Sequence, residues 1–133
     1  MTPKQFLLYG GIILVALGVL GTFVLGPTPE NSMLGDFFWL DSTENWAHLI
    51  LGAVALGAYY MLKDAAMIRY LVLLVGVVAA LAAVFGFLNA GSSTPNLGVT
   101  NLENPSDNIL HLVVAVWAFW AGMMGNKEST TVS

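Results

Sequence analysis

The chain has 133 residues, of which 57% are hydrophobic and 9% charged, with a formal net charge of −4 and no cysteine. Its length allows one domain, and the apolar excess lies far outside the soluble globular average. The acidic balance argues against nucleic acid, which needs a basic surface, and the missing cysteines exclude disulfides, thiol nucleophiles and thiolate metal sites.

The first element is the block Phe6–Leu25, which contains no Asp, Glu, Lys or Arg. With Lys4 in front it has the outline of a signal peptide, but it is long for one and no A-x-A-like cleavage site follows. A retained span is expected. Three further uncharged blocks follow, Asn45–Leu62, Tyr70–Leu88 and Asn108–Asn126. Each of the four is about 18–20 residues long, enough to cross a hydrocarbon core of roughly 30 Å. None shows the polar face of a soluble helix. The expected fold is all-α: an integral membrane up-down-up-down four-helix bundle, one transmembrane domain over 1–133.

Between the first two blocks lies loop 26–44, opened by Gly26-Pro27-Thr28-Pro29 and carrying Phe37-Phe38-Trp39. Those aromatics suit either the membrane interface belt or a docking patch for a partner protein. Asp41-Ser42-Thr43-Glu44 reads as a capping box, with Asp41 at the cap and Glu44 three residues on. A tight turn, Lys63-Asp64-Ala65-Ala66, joins the second block to the third. Loop 89–107 carries Gly91-Ser92-Ser93-Thr94-Pro95-Asn96, then Asn104 as the expected cap, Pro105 at the first helical position and Asp107 two further on. Trp117, Phe119 and Trp120 in the last block fit lipid contact or bundle packing better than a cofactor box.

All four basic residues (Lys4, Lys63, Arg69 and Lys127) flank the termini and the short turn, and neither long loop has any. The positive-inside rule puts both termini in the cytoplasm and loops 26–44 and 89–107 outside. The plasma membrane is the expected location, or the thylakoid in a photosynthetic source.

The two loop-to-helix passages repeat each other. LGDFFWLDSTENWAHL (34–49) and LGVTNLENPSDNILHL (97–112) align without a gap at an offset of 63. Leu34/Leu97, Gly35/Gly98, Asn45/Asn108, His48/His111 and Leu49/Leu112 are identical. At an offset of 65, Gly11 matches Gly76 and Gly21 matches Gly86. The chain therefore reads as two parallel helical-hairpin repeats, 1–63 and 64–133.

The only two histidines both lie in this repeat. Helical spacing puts Asn45, His48, Gly52, Ala55 and Tyr59 on one stripe, and Asn108, His111, Ala115, Ala118 and Gly122 on its counterpart. Polar groups roughly 10 Å inside a span prefer protein to lipid, so the two stripes are expected to face the bundle interior and each other. Three readings follow. A structural latch would pair Asn45 with His111 and Asn108 with His48 across a small-residue contact. Alternatively, His48 and His111 would ligate haem or chlorophyll, with Gly52 and Ala115 leaving room for a flat macrocycle. The third is a weak alternative, a metal or proton site of Glu44, His48, Asp107 and His111; an extracytoplasmic pH sensor would ask still less of the two histidines. No nucleophile–base set, phosphate loop or HExxH motif supports catalysis, and no proline-broken span supports transport.

At the doubled N-x-x-H-L signature the chain resembles a family of small four-span prokaryotic membrane proteins, the domain of unknown function 4383. The matching residues are Asn45-Trp46-Ala47-His48-Leu49 with Gly52, and Asn104 through Leu112, and the resemblance reaches both hairpins. Ala115 stands where the first copy has Gly52. The resemblance implies topology and no activity. The expected role is a non-catalytic accessory or scaffold subunit without a cofactor, in contact with the lipid bilayer and other membrane protein subunits. A haem- or chlorophyll-binding subunit is the alternative.

Overall fold

A computed structural model describes residues 1–92, 100–102 and 105–124. The Leu97-Gly98 part of the repeat, the turn formers Ser93 to Asn96, Glu103, the expected cap Asn104 and the flanking Lys127 lie outside the described residues. Four long helices and no strand element make up the described chain: α1 (Pro3–Phe23), α2 (Ser42–Met61), α3 (Ala65–Leu88) and α4 (Ser106–Met124). Two short 3-10 turns, Pro29–Asn31 and Gly35–Phe37, interrupt the first loop.

Each helix start follows from local chemistry. Helix α1 begins three residues before the apolar block because Thr2 and Gln5 form a capping box around Pro3. The Thr2 hydroxyl accepts from Gln5 N at 3.2 Å, and Gln5 Oε1 accepts from Thr2 N at 2.9 Å. Thr2→Ala is expected to lower stability by about 1 kcal/mol, read as a small drop in the thermal midpoint in detergent. In α2 the anticipated box is present, with Asp41 Oδ1 accepting from Glu44 N at 2.8 Å and Glu44 Oε2 from Asp41 N at 2.9 Å. Asp64 Oδ1 caps α3 by accepting from Met67 N at 2.7 Å. Helix α4 starts at Ser106, one residue later than the sequence suggests, with the Pro105 carbonyl accepting from Ile109 N at 2.9 Å.

Helices α1, α3 and α4 are long and apolar enough to cross a membrane. Large apolar side chains cover their outer faces, among them Ile12, Val19, Leu74, Val78, Leu81, Val113 and Val116. An outer surface of this kind is stable against acyl chains and costly in water. Helix α2 matches them in length but not in hydropathy, because Glu44, Asn45, His48, Tyr59 and Tyr60 dilute its apolar content.

The closest packing is within sequence-adjacent pairs, α1 along α2 and α3 along α4, both antiparallel. Glycines set the approach. A methyl group at Gly11 would meet Leu56 Cγ at 2.8 Å, and one at Gly18 would meet Leu49 Cγ at 2.6 Å. Across the pairs, Phe6 and Leu7 of α1, Ile68 and Val72 of α3, and Ala118 and Ala121 of α4 form a buried cluster, against which Ala55, Ala58 and Tyr59 of α2 also pack. The Phe6 and Trp117 rings meet edge-on at 4.6 Å, and the Trp117 indole N–H donates to Met1 Sδ. Arg69 Nε donates at 2.9 Å to the Gly122 carbonyl in the last turn of α4, where a cation complements the helix end.

At the opposite, loop end the pairs are tied by polar contacts. Asp41 Oδ2 accepts from Asn101 N at 2.8 Å and from the Thr100 hydroxyl at 3.1 Å. The Ser106 hydroxyl donates to Phe37 O at 2.6 Å.

Candidate functional site: the histidine seam

Both signature asparagines are buried, and each sits on a glycine of its own neighbouring helix. A methyl group at Gly21 would land on the Asn45 amide oxygen, and one at Gly86 on the Asn108 amide oxygen. The Asn45 amide also donates to Leu40 O at 3.2 Å. The same correspondence recurs one level further in, where Gly11 lies against Leu56 and Gly76 against Phe119. These are the glycine pairs that match at an offset of 65, packed on residues that match at 63.

The stripes therefore do not face each other as whole surfaces, which corrects the sequence reading. Residues three apart on a helix differ by about 60° around the axis, so each stripe has two edges. One edge turns to the adjacent helix: Asn45 and Gly52 to α1, Asn108 and Gly122 to α3. The other edge, with Ala55 and Tyr59 in α2 and Ala118 in α4, reaches the central cluster. His48 and His111 lie on this second edge by register. Helices α2 and α4 themselves approach little.

Neither crosswise pair of the expected latch forms. His48 Nδ1 is buried without a hydrogen bond, and Asn45 donates to Leu40. His111 instead turns to its own helix. Its Nδ1 lies 3.0 Å from the Asp107 carbonyl oxygen and 3.3 Å from Asp107 Oδ2. Both are acceptors, so this nitrogen carries the proton and a neutral His111 keeps its lone pair on Nε2. The Asp107 side chain is 1% exposed and that of His111 24%. Both Asp107 carboxylate oxygens are buried without a hydrogen bond of good geometry, and the capping box expected with Asn104 lies outside the described residues.

Gly52 lies against α1, where a methyl group in its place would meet Val15 Cγ2 at 2.7 Å. Ala115 is likewise buried. Among the described residues no three His, Asp or Glu side chains gather closely enough to hold a metal ion. The set Glu44, His48, Asp107 and His111 is not assembled, since the Glu44 carboxylate is directed to Asp41 N. A shallow apolar groove lies elsewhere, on α4, lined by Leu112, Val113, Val116, Trp117 and Trp120.

The geometry gives packing a larger share of the signature than chemistry. The family model described as a domain of unknown function (DUF4383) matches residues 4–124. The chain belongs to that family. The match covers all four helices of this DUF4383 chain, including both Asn–Gly seats and both histidines. No curated protein and no solved structure matches it.

Sequence reasoning missed two participants. The sequence marks Asp41 as a helix cap alone, although its second oxygen holds the other loop through Thr100 and Asn101. Val15 had no signal at all, because one valine among many in an apolar helix carries no mark of its partner.

Proposed function

We propose that this DUF4383 chain is a four-span membrane protein of two helical-hairpin repeats, 1–63 and 64–133, serving without catalysis as a small accessory or scaffold subunit of a membrane complex. The observation that carries the reading is the use made of the polar signature. Asp41, Glu44, Asn45 and Asn108 are engaged in helix caps, loop ties and glycine seats rather than around an open cavity. The matched Asn–Gly seats support an origin by doubling of one hairpin. Helix α2 crosses the bilayer alongside α1 in this reading, because a paired neighbour shelters its polar edge. Both termini face the cytoplasm and both long loops the other side, in the plasma membrane or, in a photosynthetic source, the thylakoid.

The test is purification from native membranes in mild detergent, with an absorption spectrum and stoichiometric analysis of co-purifying subunits. A colourless protein accompanied by a defined membrane partner is the expected result. A Soret or chlorophyll band abolished by His48→Ala and His111→Ala would overturn the scaffold role in favour of a tetrapyrrole subunit.

A further inference from the structure

The loop that follows α1 does not rise away from the helix end. Met33 N donates to Val24 O at 2.9 Å and Leu40 N donates to Leu25 O at 2.7 Å, so the segment between folds back on the last turn of α1. Leu25 and Ser32 form an antiparallel bridge within it. The Ser32 hydroxyl closes the bend by donating to Phe38 O at 2.7 Å and accepting from Leu34 N at 3.1 Å. Met33 is thereby held level with Val24, the residue after the helix.

This compact loop divides its apolar side chains. Leu40 is fully buried, and Phe38 and Trp39 are half-buried. Met33 is 81% exposed, Phe37 69% and Leu34 about half. Phe23, the final residue of α1, is 79% exposed at the same level and continues the apolar face of the helix. The polar residues Glu30, Asn31 and Asp36 are exposed between and beside these positions. With 21 residues α1 measures about 31 Å, close to the roughly 30 Å hydrocarbon thickness, so its end falls at the boundary between acyl chains and headgroups.

We propose that Met33, Leu34 and Phe37 form a lipid-contacting ridge seated in the interfacial layer of the leaflet at which α1 ends, with Glu30 and Asp36 in the water above it. Two observations select lipid as the occupant. Main-chain bonds hold the ridge level with the end of α1, and it continues the exposed apolar face ending at Phe23. Acidic flanks match a zwitterionic surface better than an anionic one. The inference rests on α1 crossing the bilayer, which the same experiment checks separately.

The chain has no cysteine, so Phe23→Cys, Asn31→Cys, Met33→Cys and Phe37→Cys each accept one nitroxide label at one place. The labelled full-length proteins are reconstituted in phosphatidylcholine vesicles, and collision with oxygen and with a water-soluble nickel chelate is measured by power saturation. Labels at 23, 33 and 37 are expected to favour oxygen severalfold over nickel, and the label at 31 to favour nickel. Nickel access at 33 and 37 equal to that at 31, with 23 still favouring oxygen, would overturn the ridge and leave the span intact. Labels at 33 and 37 shielded from both reagents would also overturn it, by showing a protein surface there. Nickel access at 23 as well would remove the span and the ridge together.

Discussion

Gly21→Ala and Gly86→Ala are each expected to destabilise the protein by about 2–4 kcal/mol, the sum of overpacking a close helix contact and displacing a buried amide. The added methyl group in either variant would occupy the position of an asparagine amide oxygen. That side chain is buried and short, so it cannot swing away cheaply as the far end of a lysine would. Adding Asn45→Ala to Gly21→Ala should restore part of the loss, because the smaller side chain vacates the space. Stability by denaturant or thermal unfolding in detergent gives the double-mutant cycle, with a coupling of about 1 kcal/mol or more expected. Gly57→Ala is the control. Nothing lies within 4 Å of a methyl group there, so it should be neutral or stabilising by roughly 0.5–1 kcal/mol. Equal effects at positions 21 and 57 would be incompatible with the asparagine seats.

Asp41→Ala is expected to cost about 2–4 kcal/mol, combining a lost helix cap with lost charge-assisted hydrogen bonds. One carboxylate oxygen accepts from Glu44 N, and the other from Asn101 N and the Thr100 hydroxyl. The side chain therefore starts α2 and holds the loop before α4 at the same time. Asp41→Asn separates the two duties. Its amide oxygen can still accept from Glu44 N, while its NH2 would oppose the Asn101 N–H, so about half of the loss should return. Thermal unfolding reports the cost. Protease sensitivity in loop 89–107 should rise in both variants, and an unchanged digestion pattern would count against the tie.

The cap at Asp41 was legible in four letters because a helix start is local chemistry. The same holds for the apolar blocks, where length and absence of charge suffice. Gly21 and Gly86 were also visible, as partners in the repeat, but not as seats for Asn45 and Asn108. Reading a contact requires knowing which edge of a helix turns to which neighbour, and a stripe in sequence is wider than one contact. The histidines show the same limit. Spacing put His48 and His111 with the asparagines, whereas the actual partner of His111 Nδ1 is Asp107, four residues back on its own helix.

By itself, then, the sequence determined the four long helices among the described residues, the three of them able to cross a bilayer and the α2 cap, all of which follow from composition and short-range pattern. Only the tertiary structure decided that each asparagine closes on a glycine of its own pair, that Val15 fills the space beside Gly52, and that Met33 and Phe37 rather than Trp39 stand exposed. Those choices depend on azimuth and distance between helices, which are fixed when close-packed surfaces interlock and have no counterpart in the order of residues along one strand of chain.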